Sequence, residues 1–384
     1  MIYLDHNATA PLCDAALGRL DAALRAFHGN PASLHRAGQR ADALLEESRR
    51  IIATELGLDA ARLVFTSGAT ESANAIAHHL ARAHPTRPVA AVATEHACVL
   101  DAIRHYVPRG TLRVPVTPAG QPTPVTADLS RTPPAALFAM LANNETGYLT
   151  DLPALVSSIP PQLPLAVDVT QAVGRMPLAL PSSILDHGFV FGSGHKMGAP
   201  IGLGFLHLPR DTTWTPLLQG GGQEDARRSG TQNAPLAAAF AAALQDRSAR
   251  FHALGTQSSR RTQFVQSLVA IHPDIRILGH SGACLWNTVS FVAPELSDCR
   301  QRWTVRIDKA GFAVSSGSAC NAGAGKASHV LRAIGLGEGE SDRTLRVSWG
   351  WDTPDEHLNA FVQAFAEICD QHVPRGTLPS LEQP

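Results

Sequence analysis

This sequence predicts an α/β fold on a mainly parallel sheet, followed by a smaller α+β unit. Two observations carry that expectation. Short, continuously apolar runs alternate with longer helical patterns through the first two thirds of the chain. A second, sparser set of strands then follows a long Ala-rich stretch. Strands without a polar face, separated by helices, belong to parallel sheets covered on both sides. At 384 residues the chain also exceeds the usual size of one domain.

The expected strands of the large unit are Leu63–Phe65, Val89–Ala93, Ala136–Leu141, Leu165–Val167, Phe189–Phe191 and Gly204–Leu206. Helical patterns cover Ser33–Leu56, Glu71–Ala83 and Leu100–Tyr106, and one long helix is expected from Leu236 to about Ile271. The second unit should contain strand Thr288–Val292, a helix near Leu296–Ala310, strands Phe312–Val314 and Leu345–Trp349, and helix Pro354–Cys369. The division places 12–250 in the large unit, with 1–11 and 251–384 in the smaller one. Proline-rich Thr117–Pro124 reads as a loop within a unit rather than a linker.

A net charge of -1 gives no reason to expect nucleic acid or an anionic membrane as partner, and 5% aromatics leave few stacking platforms. The opening residues turn polar at once, and Leu236–Leu244 is too short to span a bilayer, so a cytoplasmic protein is expected. Six scattered cysteines without a Cys-x-x-Cys pair argue against a disulfide framework or a zinc site. The adjacent His78 and His79 read as surface residues.

Three segments carry chemistry. Val64 to Glu71 reads as strand, glycine turn and helix start, where free N–H groups and the helix dipole suit an anion, although an ordinary helix cap would look the same. Leu163 to Val167 ends in Asp168, a carboxylate at the carboxyl end of a buried strand, where parallel sheets bind ligands. Buried there, it needs a cation, and a protonated pyridine nitrogen would serve; a helix-capping aspartate is the alternative. Phe189 to Phe191 breaks into Gly192-Ser193-Gly194-His195 and delivers Lys196, the residue type of Schiff-base chemistry. A phosphate turn, a strand-end Asp and a glycine-flanked Lys, in that order, fit a pyridoxal 5'-phosphate enzyme of aminotransferase-like fold.

The motifs then become specific. Tyr3 to Pro11, Gly29-Asn30-Pro31-Ala32-Ser33, Phe65 to Ser72, Thr94-Glu95-His96, Asn143 to Gly147, Gly192 to Lys196, Arg228-Ser229-Gly230-Thr231 and Ser315 to Cys320 run nearly end to end. Together they resemble a cysteine desulfurase of the class V aminotransferase superfamily, in the NifS- and IscS-type branch. The resemblance implies fold type I, with a mainly parallel seven-stranded sheet, and a homodimer. It implies that Lys196 holds the cofactor covalently and moves protons, that Asp168 pairs with the ring nitrogen, and that Gln171 bonds the ring hydroxyl oxygen. His96 would stack on the ring and take part in proton transfer. Thr70, Ser193 and His195 would hold the phosphate, with Thr231 supplied by the other subunit, and Ala69 would also contact the cofactor. Asn144 would lie near both substrate and cofactor, Asn30 near the substrate, and Arg346 would clamp the substrate carboxylate bidentately.

Cys320 decides the reaction. Its neighbours, Ser315 to Ser318 before it and Asn321 to Gly325 after it, suit a flexible segment rather than a core strand. The resemblance marks the group I enzymes, whose nucleophilic cysteine takes sulfur from L-cysteine as a persulfide and releases L-alanine. The acceptor would be an iron–sulfur scaffold or a sulfurtransferase. The end of the chain, Pro374–Pro384, differs from the housekeeping enzyme's scaffold-docking tail. Selenocysteine lyase, another class V reaction or a non-catalytic homologue are the alternatives; the presence of Lys196, Asp168 and Cys320 together argues against the last.

Overall fold

A computed structural model describes residues 1–123, 133–279, 282–297, 302–316 and 328–373. The chain opens with a two-residue strand, β1 (Ile2–Tyr3), then helices α1 (Asp14–Ala26) and α2 (Arg36–Leu56). Next come β2 (Leu63–Thr66), α3 (Ala69–Ala83), β3 (Val89–Val92), α4 (Ala97–Tyr106) and β4 (Thr111–Val114). Strands β5 (Leu137–Met140), β6 (Leu165–Asp168), β7 (Phe189–Ser193) and β8 (Gly204–His207) complete a seven-stranded sheet of order β2-β8-β7-β6-β5-β3-β4. Only β8 runs against the others.

Both faces of this sheet are apolar, as its continuous runs predict. Val64, Ala91, Phe138, Phe191 and Leu206 pack on Ile76, Val99 and Ile103 of α3 and α4. Phe65, Leu137, Val167, Val190 and Phe205 pack on α1, α2 and helix α5 (Ala234–Ser248). Helix α6 (Leu254–Val269) follows, then an antiparallel sheet of order β12-β13-β10-β9. Its strands are β9 (Arg276–Ile277), β10 (Thr288–Val292), β12 (Ser315–Ser316) and β13 (Thr344–Ser348). Helices α7 (Trp303–Lys309) and α8 (Asp355–His372) cover it around Phe291, Val347, Phe361 and Phe365. Strand β1 pairs in parallel with β11 (Phe312–Ala313), and Leu4 joins this second core.

Four expectations change. The stretch from Leu236 to Ile271 is two helices, because the chain turns through Phe251–Ala253. Arg247 and Arg250 there both pair with Asp352, and Phe251 lies against Trp351, contacts that outweigh helix continuation. The helix near Leu296–Ala310 begins only at Trp303, whose indole N–H donates to the Pro294 carbonyl at 2.9 Å. The strand expected over Phe312–Val314 changes partner at Val314: Phe312–Ala313 pair with β1, and Ser315–Ser316 with β13. Ser315 is therefore buried strand, not loop.

His79 is not a surface residue. It is 6% exposed, stacks on Trp214 at 4.7 Å and accepts the Thr215 N–H, and burial lowers its pKa to about 4. Successive helix positions point about 100° apart, so α3 buries His79 while His78 packs edge-on to Tyr106. Helix α1 escaped the sequence reading because its buried residues are only Ala16 and Ala23, with Leu20 half-buried beside them, while Leu17 and Leu24 face outward. Among the described residues no helix is long and apolar enough to cross a membrane.

Gly204 lets β8 pass beneath the turn that follows β2. A Cβ there would lie 2.5 Å from the Gly192 carbonyl oxygen and 2.6 Å from Gly68 Cα, backbone on both sides. Gly204→Ala should therefore lower stability by about 1–3 kcal/mol through overpacking. Denaturant midpoints of the purified variant would show it, and an unchanged midpoint would contradict this reading of the contact.

Candidate active site

Open sheets of this kind bind ligands at the carboxyl ends of their strands. Here those ends deliver Ser67 to Thr70 after β2, His96 after β3, Asn144 after β5, Asp168 and Gln171 from β6, and Ser193 to Lys196 from β7. They surround a cavity of about 410 Å³, also lined by Ala69, Cys98, Thr170 and, from β13, Arg346. Residues up to 339 positions apart, Asn7 and Arg346, thus meet at one sheet edge.

Asp168 is buried, its Oδ1 accepting the Thr170 N–H at 2.8 Å. Burial pushes its carboxyl up, while the nearby His96 and Lys196 oppose the shift. The Lys196 ammonium donates to the carbonyls of Asn7 at 2.9 Å and Ala8 at 2.5 Å. His96 caps α4, its Nδ1 accepting the Cys98 N–H at 3.2 Å, which leaves the other ring nitrogen to carry the proton. Burial lowers its pKa, Asp168 resists and Lys196 adds to the lowering, so the ring is neutral. His195, with Nδ1 3.1 Å from Thr9 Oγ1, is brought to about 4 by burial, Lys196 and Arg175. It is a neutral hydrogen-bonding group until an anion binds beside it.

Arg346 is buried and held from two sides, Nη2 donating to Asp5 Oδ1 at 2.7 Å and Nη1 to the Asn144 carbonyl at 2.8 Å. Its Nε, with Asn144 Oδ1 and Thr170 Oγ1, is buried without a hydrogen-bond partner among the described residues. Unpaired buried polar atoms are costly, and these belong to residues lining the cavity, which fits a polar occupant. A pyridoxal 5'-phosphate suits this donor set: an amine, a buried carboxylate for a ring nitrogen, a neutral imidazole for a ring face, and a helix start for a phosphate.

Two expected residues lie elsewhere. Asn30 is exposed, its side chain accepting the Ala32 N–H at 3.0 Å, and Thr231 is exposed outside the cavity. Cys320 lies outside the described residues. Gln171 lines the cavity, but its amide is engaged: Nε2 donates to the Asn7 carbonyl at 3.0 Å and Oε1 accepts from Arg175.

Sequence reasoning missed Arg175, the hub behind the lysine. It donates to Asn7 Oδ1, the Gln171 side chain and the carbonyls of Gln171, His6 and Lys196. Burial and Arg346 pull its pKa to about 9, which still leaves it charged at neutral pH. It also missed Cys98, which lines the cavity; burial, then Asp168 and Glu95, push its thiol far up.

Glu145 accepts a hydrogen bond from Ser328 at 2.6 Å, and burial raises its pKa from 4.5 to about 7. Because the folded value lies above the unfolded one, folding binds a proton between these pH values. The penalty is absent below about pH 4.5 and complete above about pH 7. Part of the residue still meets solvent, so the penalty should be on the order of 2 kcal/mol. Wild-type stability should fall from pH 5 to 8, and Glu145→Gln should remove that slope. Urea melts at the two pH values decide it, and parallel slopes would refute the assignment.

The class V aminotransferase profile matches residues 2–361. A cysteine desulfurase of a Frankia species is 36% identical over 93% of this chain and 88% of its own length. An IscS-like cysteine desulfurase of Mycobacterium tuberculosis is 33% identical over 94% of this chain and 95% of its own. A solved NifS-like protein from Rickettsia africae superposes with a TM-score of 0.84 at 27% identity, over 96% of this chain and 99% of that one. The chain belongs to the class V aminotransferase family, whose cysteine desulfurases are pyridoxal 5'-phosphate enzymes. It is an enzyme of fold type I, matched over nearly its whole length by cysteine desulfurases.

Proposed function

We propose that this chain is a group I cysteine desulfurase: it takes the sulfur of L-cysteine onto Cys320 as a persulfide, releases L-alanine, and passes the sulfur to an acceptor protein. The observation that carries the reading is one cavity lined by Lys196, Asp168, His96 and Arg346, in a chain whose full-length relatives are desulfurases. When bound, pyridoxal 5'-phosphate supplies the electron sink that lets the substrate's Cα–H bond be broken.

The protein's own groups do the rest. Arg346, fixed by Asp5 and the Asn144 carbonyl, presents its guanidinium to the substrate carboxylate. Lys196 removes and returns a proton at the substrate's carbon. The neutral ring of His96 packs against the cofactor, and Asp168 stays ionised once a cation lies beside it. In the transfer the substrate Cβ–S bond breaks, a bond forms between that sulfur and Cys320 Sγ, and the carbon gains hydrogen to become alanine.

The reading includes a homodimer in which Thr231 reaches the neighbouring phosphate. Ile201, in the cavity lining yet 73% exposed, supports a covering subunit. It also includes a cofactor-binding unit over 12–250, a second unit of 1–11 and 251–384, a cytoplasmic location, and an acceptor serving iron–sulfur assembly or thiolation. The test is an assay of L-cysteine turnover with a reductant. Equal release of alanine and sulfide, by an enzyme that sediments as a dimer, is expected. Turnover of selenocysteine alone would favour the lyase, and transamination without sulfide would refute the reading.

A further inference from the structure

Among the described residues, three consecutive non-glycine residues, Glu224, Asp225 and Ala226, hold φ angles of +53°, +54° and +61°. L-residues there are strained, and a run of three persists only where the surroundings dictate it. The Glu224 side chain, 1% exposed, shows what dictates it. Its carboxylate accepts from Arg49 Nη1 and Nη2 at 2.7 and 2.8 Å, from the Phe65 N–H at 2.9 Å and from Gln232 Nε2 at 3.1 Å. Arg49 is itself fixed over the Phe65 ring at 4.6 Å and donates to the Leu63 carbonyl at 2.7 Å.

Beyond the strained run, Arg228 pairs with Glu71 at 2.8 and 3.1 Å, and Glu71 accepts the Ser67 N–H at 2.8 Å. The segment is therefore fastened twice to one structural piece: by Glu224 to strand β2, and by Arg228 to the first turn of α3. Between those two fastenings lies the Ser67–Thr70 turn. A buried ion pair is weak evidence for stability and better evidence for fixed geometry.

We propose that Glu224 is a positioning residue for the phosphate site: it locks the left-handed turn so that Arg228 holds the Ser67–Thr70 cradle of its own chain and Thr231 is presented outward. This rests on the reading above, in which that turn and a neighbour's Thr231 hold the cofactor phosphate.

The test is cofactor release from the dimeric holoenzyme, read as the dissociation rate of pyridoxal 5'-phosphate and the 31P resonance of the bound phosphate. Glu224→Gln should speed release by about tenfold or more and shift or broaden the resonance, since the Arg49 pair is lost. Ala226→Gly in that background should recover most of the loss, because glycine accepts a positive φ without the carboxylate. Release within about twofold of wild type in folded Glu224→Gln would overturn the proposal. So would faster release that the glycine does not repair, which would make Glu224 only a charge partner for Arg49. If Glu224→Gln does not fold, Arg228→Gln carries the same readouts: it should speed release, and an unchanged rate and resonance would overturn the link. Failure of wild type to hold the cofactor would instead sink the functional reading.

Discussion

Lys196→Ala should fold, yet release neither alanine nor sulfide from L-cysteine, with activity down by about 10³-fold or more. The chain has three lysines, Lys196, Lys309 and Lys326, so amine chemistry has few substitutes. Lys309 is exposed on α7, and of the lysines among the described residues only Lys196 lines the cavity. Its backbone is also tightly placed: a Cβ on Gly194 would lie 2.9 Å from Ala199 Cβ and 3.3 Å from the Phe240 ring. The side chain therefore enters the cavity from a turn with little freedom to shift. Borohydride reduction and peptide mass analysis should find the cofactor attached at residue 196 in wild type and nowhere in the variant. Attachment at another residue with activity retained would remove Lys196 from the centre of the reaction.

What was legible in the sequence is what strand chemistry makes visible. A polar residue closing a continuous apolar run stands out, which is why Asp168 and the Ser193–Lys196 turn could be read before any fold was known. Arg175 could not be read that way. It follows a short turn with no periodic pattern, and its partners His6 and Asn7 lie 169 and 168 positions away. Glu145 and Ser328, 183 positions apart, become partners only when the second sheet docks beside the first. His79 was misread because adjacency says nothing about which side of a helix is buried. The break after Ser248 was invisible because residues 249–254 carry neither proline nor glycine, and the contacts that accompany the turn, to Asp352 and Trp351, lie about a hundred positions away.

Cys320→Ala should keep the cofactor and bind L-cysteine through Lys196 and Arg346, yet form no persulfide and release no alanine. A thiolate must receive the sulfur, and a methyl group offers no nucleophile. Rescue by a second thiol is the main threat to this expectation, and the structure argues against it. Among the four described cysteines only Cys98 lines the cavity, where burial with Asp168 and Glu95 nearby pushes its thiol far up and keeps it protonated. Burial also raises Cys284, and holds Cys369 at about 12. Cys13, the residue just before α1, is buried in the core of the large sheet. Cys98→Ala should accordingly retain most desulfurase activity, whereas Cys320→Ala should lose it by about 10³-fold or more. Selenocysteine carries a better leaving group, so slow selenium release by Cys320→Ala would be consistent with a shared binding site. Alanine release from L-cysteine at the wild-type rate would make Cys320 a bystander. A loss of activity in Cys98→Ala as deep as in Cys320→Ala would move the nucleophile into the cavity wall.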